Sequence, residues 1–332
     1  MKARSTKRVR VRIRVRTRLI MTVATLAASL YQAPASAAPP GIASLRVTQS
    51  QDSVLDYWTD DRMENAQPAE AESDEASTGQ PTVPKTSGEP QTFEGTDPPL
   101  QLNRSGSQAK EQAPVPTEGK IFFTGSDGFD YMCSGTAVIS DNESTVWTAG
   151  HCVHNGAGQD YHHNWIFVPG YDDGDTPFGI WTAESLSAPT AWTRYSSLKY
   201  DVGAAVVAPS LDGTTLGDTV GMEGIAFNQP AYQYWTSLGY PAGRPFDGSD
   251  LYACNSRTLG RDNPDRLNGQ RTLFIRCNMN GGSSGGGWLF TVDGNRYVGS
   301  VNSYGIIGFR DRMYGPYQGP AALALWRSVQ GA

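Results

Sequence analysis

The sequence predicts an all-β fold, either a sandwich or a barrel, and three observations support this. Short apolar runs recur from about residue 118 onward, and Gly, Pro, Asp and Asn fill almost every gap between them. The composition, with 37 Gly, 21 Pro, 15 Tyr and 8 Trp but 18% charged residues, is typical of a loop-rich, aromatic-packed β protein. No fixed-period repeat is visible, which argues against a propeller or a solenoid.

The first 37 residues predict an export signal. An Arg- and Lys-rich stretch, residues 2–18, precedes an apolar run at 19–30 that is shorter than the roughly 20 residues needed to span a membrane. Ala35-Ser36-Ala37 then offers a small-x-small cleavage site. We therefore expect a secreted, extracellular protein. The net charge is −6 and no basic patch follows the signal, so we expect no nucleic-acid partner.

Residues 38–117 differ in composition from the rest of the chain. Pro, Ser, Gln, Glu, Thr and Asp dominate, and large apolar side chains are sparse. Such a segment buries too little apolar surface to offset the entropy of ordering, so it is predicted to be acidic and disordered. Two interpretations remain open, a flexible linker and a pro-segment removed on activation. The folded domain is expected over residues 118–332.

The folded domain contains ten apolar runs that predict strands and one segment that predicts a helix. Residues 320–329 follow a helical pattern that begins with a proline, which suits the first helical turn. The predicted strands are residues 120–124, 135–140, 145–149, 165–168, 179–183, 201–207, 232–238, 272–277, 287–291 and 297–302.

The chain has four cysteines, and an even number in an exported protein predicts two disulfides. Four cysteines allow three connectivities, which the sequence alone leaves open. Pairing of neighbours, Cys133 with Cys152 and Cys254 with Cys277, would close two loops of roughly 20 residues. Each such loop would contribute about 3 kcal/mol in the chain-entropy model.

Residues 281–286 read Gly-Gly-Ser-Ser-Gly-Gly, which places both Ser283 and Ser284 in a Gly-x-Ser-x-Gly frame. Such a frame can expose a serine nucleophile at a sharp turn, although Gly-Ser stretches also form ordinary loops. Ser284 is the better candidate because two glycines follow it directly.

The four histidines, His151, His154, His162 and His163, all precede these serines. An α/β-hydrolase needs its histidine after the nucleophile, so that class is excluded. The order Asp, His, Ser occurs on a fold of parallel strands and helices, and this chain predicts almost no helix. The order His, Asp, Ser remains.

His151 is the strongest candidate for a general base, because it ends an apolar strand and precedes a cysteine that a disulfide would hold rigidly. Asp201 opens the apolar run 201–207, so its carboxylate can be buried against the imidazole and fix the tautomer. The alternatives Asp172, Asp173 and Asp175 share a polar loop and are expected to be solvated.

Three stretches together resemble the signatures of chymotrypsin/trypsin-like serine peptidases. They are residues 148–152 (Thr-Ala-Gly-His-Cys), Asp201-Val202 and residues 282–286 (Gly-Ser-Ser-Gly-Gly). The nearest likeness is to secreted bacterial members, among them actinobacterial trypsin-like peptidases and glutamyl endopeptidases, over about residues 118–329. The resemblance implies two six-stranded antiparallel β-barrels packed together, with a short C-terminal helix. It also implies a serine endopeptidase that forms an acyl-enzyme intermediate.

The resemblance assigns Ser284 as nucleophile, with the backbone N–H groups of Gly282 and Ser284 as oxyanion hole. Removing one such donor usually lowers the rate by about 10²–10³. Residues 303–305, Ser303-Tyr304-Gly305, correspond to the family segment that binds substrate backbone as an added strand. Cys133–Cys152 corresponds to the disulfide beside the catalytic histidine.

Two departures from the family pattern concern activation and specificity. Ser283 precedes the nucleophile where animal members carry an Asp that pairs with the newly cut N-terminus. Cys277 lies further upstream than in those members, so the wall of the specificity pocket is expected to differ.

The sequence predicts no residue preference for the specificity pocket. Asn278 falls near the position where trypsin-like members carry an acid, and its uncharged amide does not support an Arg or Lys preference. Glutamyl-type members use a histidine near the position of Asn302, so a Glu preference is not supported either.

Two metal sites were considered. The cluster of His151, Cys152, His154, His162 and His163 contains ligands that zinc prefers, but the expected disulfide uses Cys152. The loop with Asp172, Asp173 and Asp175 could hold a structural Ca²⁺, although a solvated acidic loop is the favoured interpretation. We therefore expect no cofactor and no catalytic metal.

The alternative to an enzyme is a secreted binding protein on a degenerate peptidase fold. Such a protein would be expected to lose at least one triad residue, and all three are present. We expect protein or peptide substrates, no stable membrane association and a monomer.

Overall fold

The computed structural model describes residues 41–73, 88–96, 106–266 and 269–332, so the predicted export signal lies outside the described residues. The strands are β1 (Ile42–Arg46), β2 (Gln67–Pro68), β3 (Ala71–Ser73), β4 (Gln91–Phe93), β5 (Lys110–Glu111), β6 (Glu118–Thr124), β7 (Asp130–Ala137), β8 (Thr145–Thr148), β9 (His163–Pro169), β10 (Trp181–Pro189), β11 (Gly203–Val207), β12 (Gly224–Phe227), β13 (Tyr234–Gly239), β14 (Tyr252–Asp262), β15 (Thr272–Arg276), β16 (Gly287–Val292), β17 (Asn295–Val301), β18 (Tyr304–Ile306) and β19 (Phe309–Gly315).

The α-helices are α1 (Gln51–Tyr57), α2 (Asp60–Asn65), α3 (Thr190–Thr193), α4 (Leu216–Val220) and α5 (Pro320–Val329), and two 3₁₀ helices cover Gly150–Cys152 and Leu198–Tyr200. None of the helices in the described ranges has the length and apolarity that crossing a bilayer requires.

The first barrel is closed and consists of β6 to β11. Its strands follow the order β10-β11-β8-β7-β6-β9, and β9 pairs back with β10 to complete the ring. All of these pairings are antiparallel. The interior is filled by fully buried side chains such as Ile121, Trp147 and Phe167.

The second barrel is built from the run β19-β15-β14-β13-β16-β17. The chain of β17 continues directly into β18, and β18 pairs with β19, which brings the two ends of the run together. Trp235 and Trp288 pack against each other in its core, with ring centroids 5.8 Å apart. The predicted double β-barrel is therefore confirmed.

Helix α5 spans Pro320–Val329, the same residues that the sequence predicts to be helical. Pro320 occupies the first turn after Gly319, and Leu325 and Trp326 are buried. The indole of Trp326 donates to the carbonyl oxygen of Ile139 at 2.9 Å, which fixes the helix against the first barrel.

Each of the ten predicted strands overlaps an observed strand. The largest shift is at β10, which is predicted over residues 179–183 but ends at Pro189 because its last residues pair with β1. From β6 onward, the sequence did not predict the strands β12, β14, β18 and β19. Strands β14 and β19 carry polar and charged residues among the apolar ones, and β12 and β18 are only four and three residues long.

Residues 41–73 are not disordered, contrary to the expectation from composition. Strand β1 pairs with β10, and α1 and α2 begin at the capping side chains of Ser50 and Thr59. Helices this short need tertiary packing to be stable. The few large apolar residues supply it, since Val54, Trp58 and Met63 are buried and Trp58 packs on Phe122 of the first barrel. The later described pieces also pair with the second barrel, β4 with β12 and β5 with β14.

Candidate active site

The carboxylate of Asp201 holds His151 at two points. One carboxylate oxygen lies 2.8 Å from His151 Nδ1, and the other accepts the backbone N–H of His151 at 2.8 Å. Asp201 is fully buried and also accepts the hydroxyl of Ser303 at 2.6 Å. Both the ring and the backbone of His151 are therefore fixed by one anion, with Nε2 left for other chemistry.

Three side chains from outside the turn hold the backbone that carries His151. His162 Nε2–H donates to the carbonyl oxygen of His151 at 2.9 Å. The indoles of Trp165 and Trp192 donate to the carbonyl oxygens of Cys152 at 2.9 Å and His154 at 2.8 Å. Burial lowers the pKa of His162 to about 3, so this ring is neutral at ordinary pH. Sequence reasoning counted His162 among the histidines but missed this role, which no local motif signals.

The turn that carries Ser284 depends on glycine. Gly282 and Gly285 have φ angles of 95° and 86°, a region that residues with a Cβ rarely adopt. A Cβ on Gly285 would lie 2.0 Å from Thr148 Oγ1 in the first barrel. The carbonyl oxygen of Ser284 accepts the N–H of Ser134 at 2.7 Å and lies 3.6 Å from Cys152 Sγ. The nucleophile candidate thus lies beside the residue that follows His151.

The two candidate serines have different surroundings. Ser283 is fully buried, and its hydroxyl donates to the carbonyl oxygen of Asn280 at 2.7 Å. The hydroxyl of Ser284 donates to the carbonyl oxygen of Ala69 at 3.2 Å, and the N–H of Gly282 donates to the same oxygen at 3.4 Å. In the described part of the chain, His151 Nε2 has no hydrogen-bond partner. These contacts favour Ser284 over Ser283 as the candidate nucleophile.

The predicted substrate-binding segment lies at the edge of the second barrel, where the hydroxyl of Ser303 contacts Asp201. The side chain of Tyr304 points into the protein, where its hydroxyl donates to Asp262 Oδ2 at 2.7 Å. A Cβ on Gly305 would meet no atom within 4 Å, so there is free space on the side-chain side of this residue. The backbone edge of β18 is paired with β3.

The two asparagines considered for specificity are both engaged by the protein. Asn278 Oδ1 accepts the backbone N–H of Ala109 at 2.6 Å. Asn302 is fully buried, and its amide donates to the carbonyl oxygens of Leu238 at 2.8 Å and Ser283 at 3.0 Å. Asn302 therefore supports the turn that carries Ser284, a role that sequence reasoning missed.

The structure pairs neighbouring cysteines, Cys133 with Cys152 and Cys254 with Cys277. The described residues contain one group of three potential metal ligands in mutual reach, Cys133, His151 and Cys152. Both of these cysteines are oxidised, so they offer no thiolate to zinc.

The acidic loop does not gather its carboxylates. Asp172, Asp173 and Asp175 are exposed, and the backbones of Asp172 and Asp175 bond to each other across a tight turn. Within the described ranges these three side chains form no group of converging ligand atoms.

Comparison with known proteins places this site in context. No family model matches the sequence, and no curated protein matches it. Among solved structures, protease Anisep from Arthrobacter nicotinovorans is 42% identical, with a TM-score of 0.62, and the match covers 68% of this chain and 100% of that one. The thermostable serine protease AL20 from an extremophilic microorganism is 38% identical, with a TM-score of 0.60, over 66% of this chain and 98% of that one.

A Glu endopeptidase in complex with MPD is 18% identical, with a TM-score of 0.53, and the match covers 70% of this chain and 100% of that one. At this identity the likeness concerns the fold alone. The fold is the double β-barrel of chymotrypsin-like peptidases. Anisep and AL20 are both more than 30% identical to this chain and are matched over 100% and 98% of their own lengths. The chain therefore belongs to the chymotrypsin/trypsin-like serine peptidase family.

Proposed function

We propose that this chain is a secreted serine endopeptidase with His151, Asp201 and Ser284 as its catalytic triad. The observation that carries the proposal is the position of one carbonyl oxygen, that of Ala69. It lies within hydrogen-bond distance of both Ser284 Oγ and the N–H of Gly282, beside the buried Asp201–His151 pair. An oxyanion hole binds the scissile carbonyl oxygen through such an N–H group, with the serine hydroxyl close beside it.

Each triad member then has a defined step. Ser284 Oγ forms a bond to the carbonyl carbon while His151 Nε2 takes its proton, and Asp201 stabilises the resulting imidazolium. The N–H groups of Gly282 and Ser284 stabilise the oxyanion. His151 gives the proton to the departing amine nitrogen, which leaves an acyl-enzyme. Water repeats the sequence and restores the free serine.

The remaining parts of the chain fit this activity. Residues 1–37 direct export, and the two disulfides suit an oxidising compartment. Protein or peptide substrates bind along the backbone of residues 303–305 once β3 has left that edge, and the enzyme acts as a monomer. Residues 38–117 serve as a pro-segment rather than a linker, an assignment supported by the contacts of Ala69 with Gly282 and Ser284.

Replacement of the two serines tests the triad. In the processed enzyme, we expect Ser284→Ala to lower kcat by about 10⁶, because it removes the nucleophile. Ser283→Ala is the matched control and should keep most of the activity, because its hydroxyl bonds only to the turn itself. Turnover of a fluorogenic peptide library measures both, and a dead Ser283→Ala with an active Ser284→Ala would refute the assignment.

The alternative, a binding protein on a peptidase fold, gives a different result in the same assay. It predicts no turnover of any library peptide by the processed wild-type protein and no labelling of Ser284 by a serine-directed phosphonate. The complete triad favours the enzyme.

A further inference from the structure

The groove between the two barrels, lined by β7, the turn of Ser284 and β18, is here called the cleft. Residues 67–73 lie in it and contact all three of these elements. Strand β2 pairs with Tyr131 and Met132 of β7, and the N–H of Ala69 donates to the carbonyl oxygen of Met132 at 3.0 Å. Ala69 then reaches the catalytic centre, and β3 pairs with β18 beyond it.

We propose that residues 67–73 are a tethered ligand that runs through the cleft in the direction opposite to a cleavable substrate, and that they block the peptidase without being cut. The proposal rests on the peptidase function proposed above. It adds the mode of binding, which the presence of a pro-segment does not determine.

The chemistry of cleavage sets the direction that a substrate must have. His151 has to protonate the amide nitrogen that follows the carbonyl in the oxyanion hole. The residues after the scissile bond must therefore leave the site on the His151 side, along the first barrel. On that side lies Cys133 of β7, whose disulfide partner Cys152 directly follows His151.

The segment presents the opposite order. The residues on the first-barrel side are Gln67 and Pro68, which precede Ala69. The residues that follow Ala69 leave along β18 of the second barrel. The carbonyl oxygen of Ala69 thus lies at the proposed oxyanion donor Gly282, while the nitrogen after it departs toward the wrong side for protonation.

The strand pairings agree with this reversal. The ladder of β2 with β7 and the ladder of β3 with β18 are both parallel. A substrate that runs the other way across the same two edges would make both ladders antiparallel. The segment therefore keeps one direction across the whole cleft.

Side-chain contacts secure the blocked state. Glu70 Oε1 accepts the N–H of Gly281 at 3.0 Å, next to the oxyanion donor Gly282. The hydroxyl of Ser284 donates to Ala69 instead of to His151 Nε2. Helices α1 and α2 and strand β1 anchor the segment on the first barrel through Trp58 and its neighbours.

Disulfide trapping in the full chain tests the direction. In a Ser284→Ala background, the pair Ser73→Cys with Ile306→Cys should close, because these residues are direct partners in the parallel register. The matched pair Ala71→Cys with Ile306→Cys should stay open, because two residues of offset exceed the Cα distance that a disulfide spans. The native cysteines in the described chain are all paired, so non-reducing peptide mapping identifies the new bond.

Closure of the Ala71 pair alone would mean the opposite direction and would overturn the proposal. Failure of both pairs in protein with intact native disulfides would mean that the segment does not occupy the cleft, which also overturns it. Trapping does not depend on catalysis, so an inactive processed enzyme together with a closed Ser73 pair would refute the proposed function and leave this inference standing.

A second measurement uses the full chain with Ser284 intact. Glu70→Ala should raise its activity on a small peptide by about tenfold, because a hydrogen bond to a charged group is lost. The processed enzymes from both chains, which lack residue 70, should be equally active. No fragment ending at Ala69 should accumulate. Such a fragment in the Ser284 chain, and its absence from the Ser284→Ala chain, would show a cleavable orientation and overturn the proposal.

Discussion

The two turns that carry the proposed catalytic residues His151 and Ser284 are stabilised in different ways. The turn of His151 is held by side chains that reach it from elsewhere, the carboxylate of Asp201 and the donors of His162, Trp165 and Trp192. The turn of Ser284 is held mainly by its own backbone. Its glycines adopt positive φ angles, and its peptide groups bond to Ser134 and Asn302.

This difference matches the demands on each group. A general base has to keep its ring orientation while its charge changes, so a buried anion and a rigid backbone serve it. An oxyanion hole needs N–H groups aimed at one point, and a glycine turn supplies them through backbone geometry alone. We expect substitutions at the His151 turn to act through side-chain chemistry, and substitutions at the Ser284 turn to act through conformation.

The largest effect short of removing the nucleophile is expected at Asp201. Asp201→Asn should lower kcat by about 10⁴ near neutral pH, because the amide favours the wrong imidazole tautomer. Asp175→Asn in the exposed acidic loop is the control and should leave kcat unchanged. Steady-state kinetics of the processed enzymes measure both, and an inactive Asp175→Asn beside an active Asp201→Asn would show that the carboxylate is misassigned.

Gly282 tests the backbone side of the comparison. Gly282→Ala adds a Cβ at a φ of 95° and 2.6 Å from the carbonyl oxygen of Tyr240, so the turn must shift its N–H. We expect kcat to fall by about 10²–10³ with a small change in KM.

The control is Gly294→Ala, which is matched for φ, at 88°, but lies in an open hairpin away from the site. It should lower stability by about 1–2 kcal/mol and leave kcat intact. Equal kcat losses in both variants would mean that strain, and not the oxyanion donor, explains the effect.

The comparison also explains how much the sequence could predict. The glycine frame around Ser284, the strand end at His151 and the strand start at Asp201 are local patterns, so these residues and the β architecture could be predicted. The donors of His162, Trp165 and Trp192 depend on tertiary contacts that no local pattern encodes. Residues 41–73 were expected to be disordered because composition averages over a segment, whereas Val54, Trp58 and Met63 are few but buried together on the first barrel.

A smaller effect is expected at His162, which acts on the site through His151. His162→Phe preserves a ring that can stack on Phe123, where the centroids are 3.9 Å apart, but it leaves the buried carbonyl of His151 without its donor. An unsatisfied buried acceptor costs about 1–3 kcal/mol, so we expect kcat to fall about tenfold with KM unchanged. His162→Gln retains an N–H donor and should restore most of kcat. Equal losses in the two variants would exclude the hydrogen bond as the cause.

The smallest effect concerns stability in acid, again at His162. Burial lowers its pKa from 6.5 to about 3, with the neighbouring charges of His151, His154 and His163 acting in the same direction. The unfolded chain therefore binds a proton at this residue between those two pH values while the folded chain does not. By linkage, the free energy of unfolding rises with pH across this window, and this contribution of His162 to stability is lost as pH falls from 6.5 toward 3. One such proton corresponds to a slope of about 1.4 kcal/mol per pH unit.

Chemical denaturation of Ser284→Ala protein, with and without His162→Gln, measures the difference in slope. His162→Gln should flatten the curve by about one proton, and identical slopes would mean that His162 is protonated in the folded state.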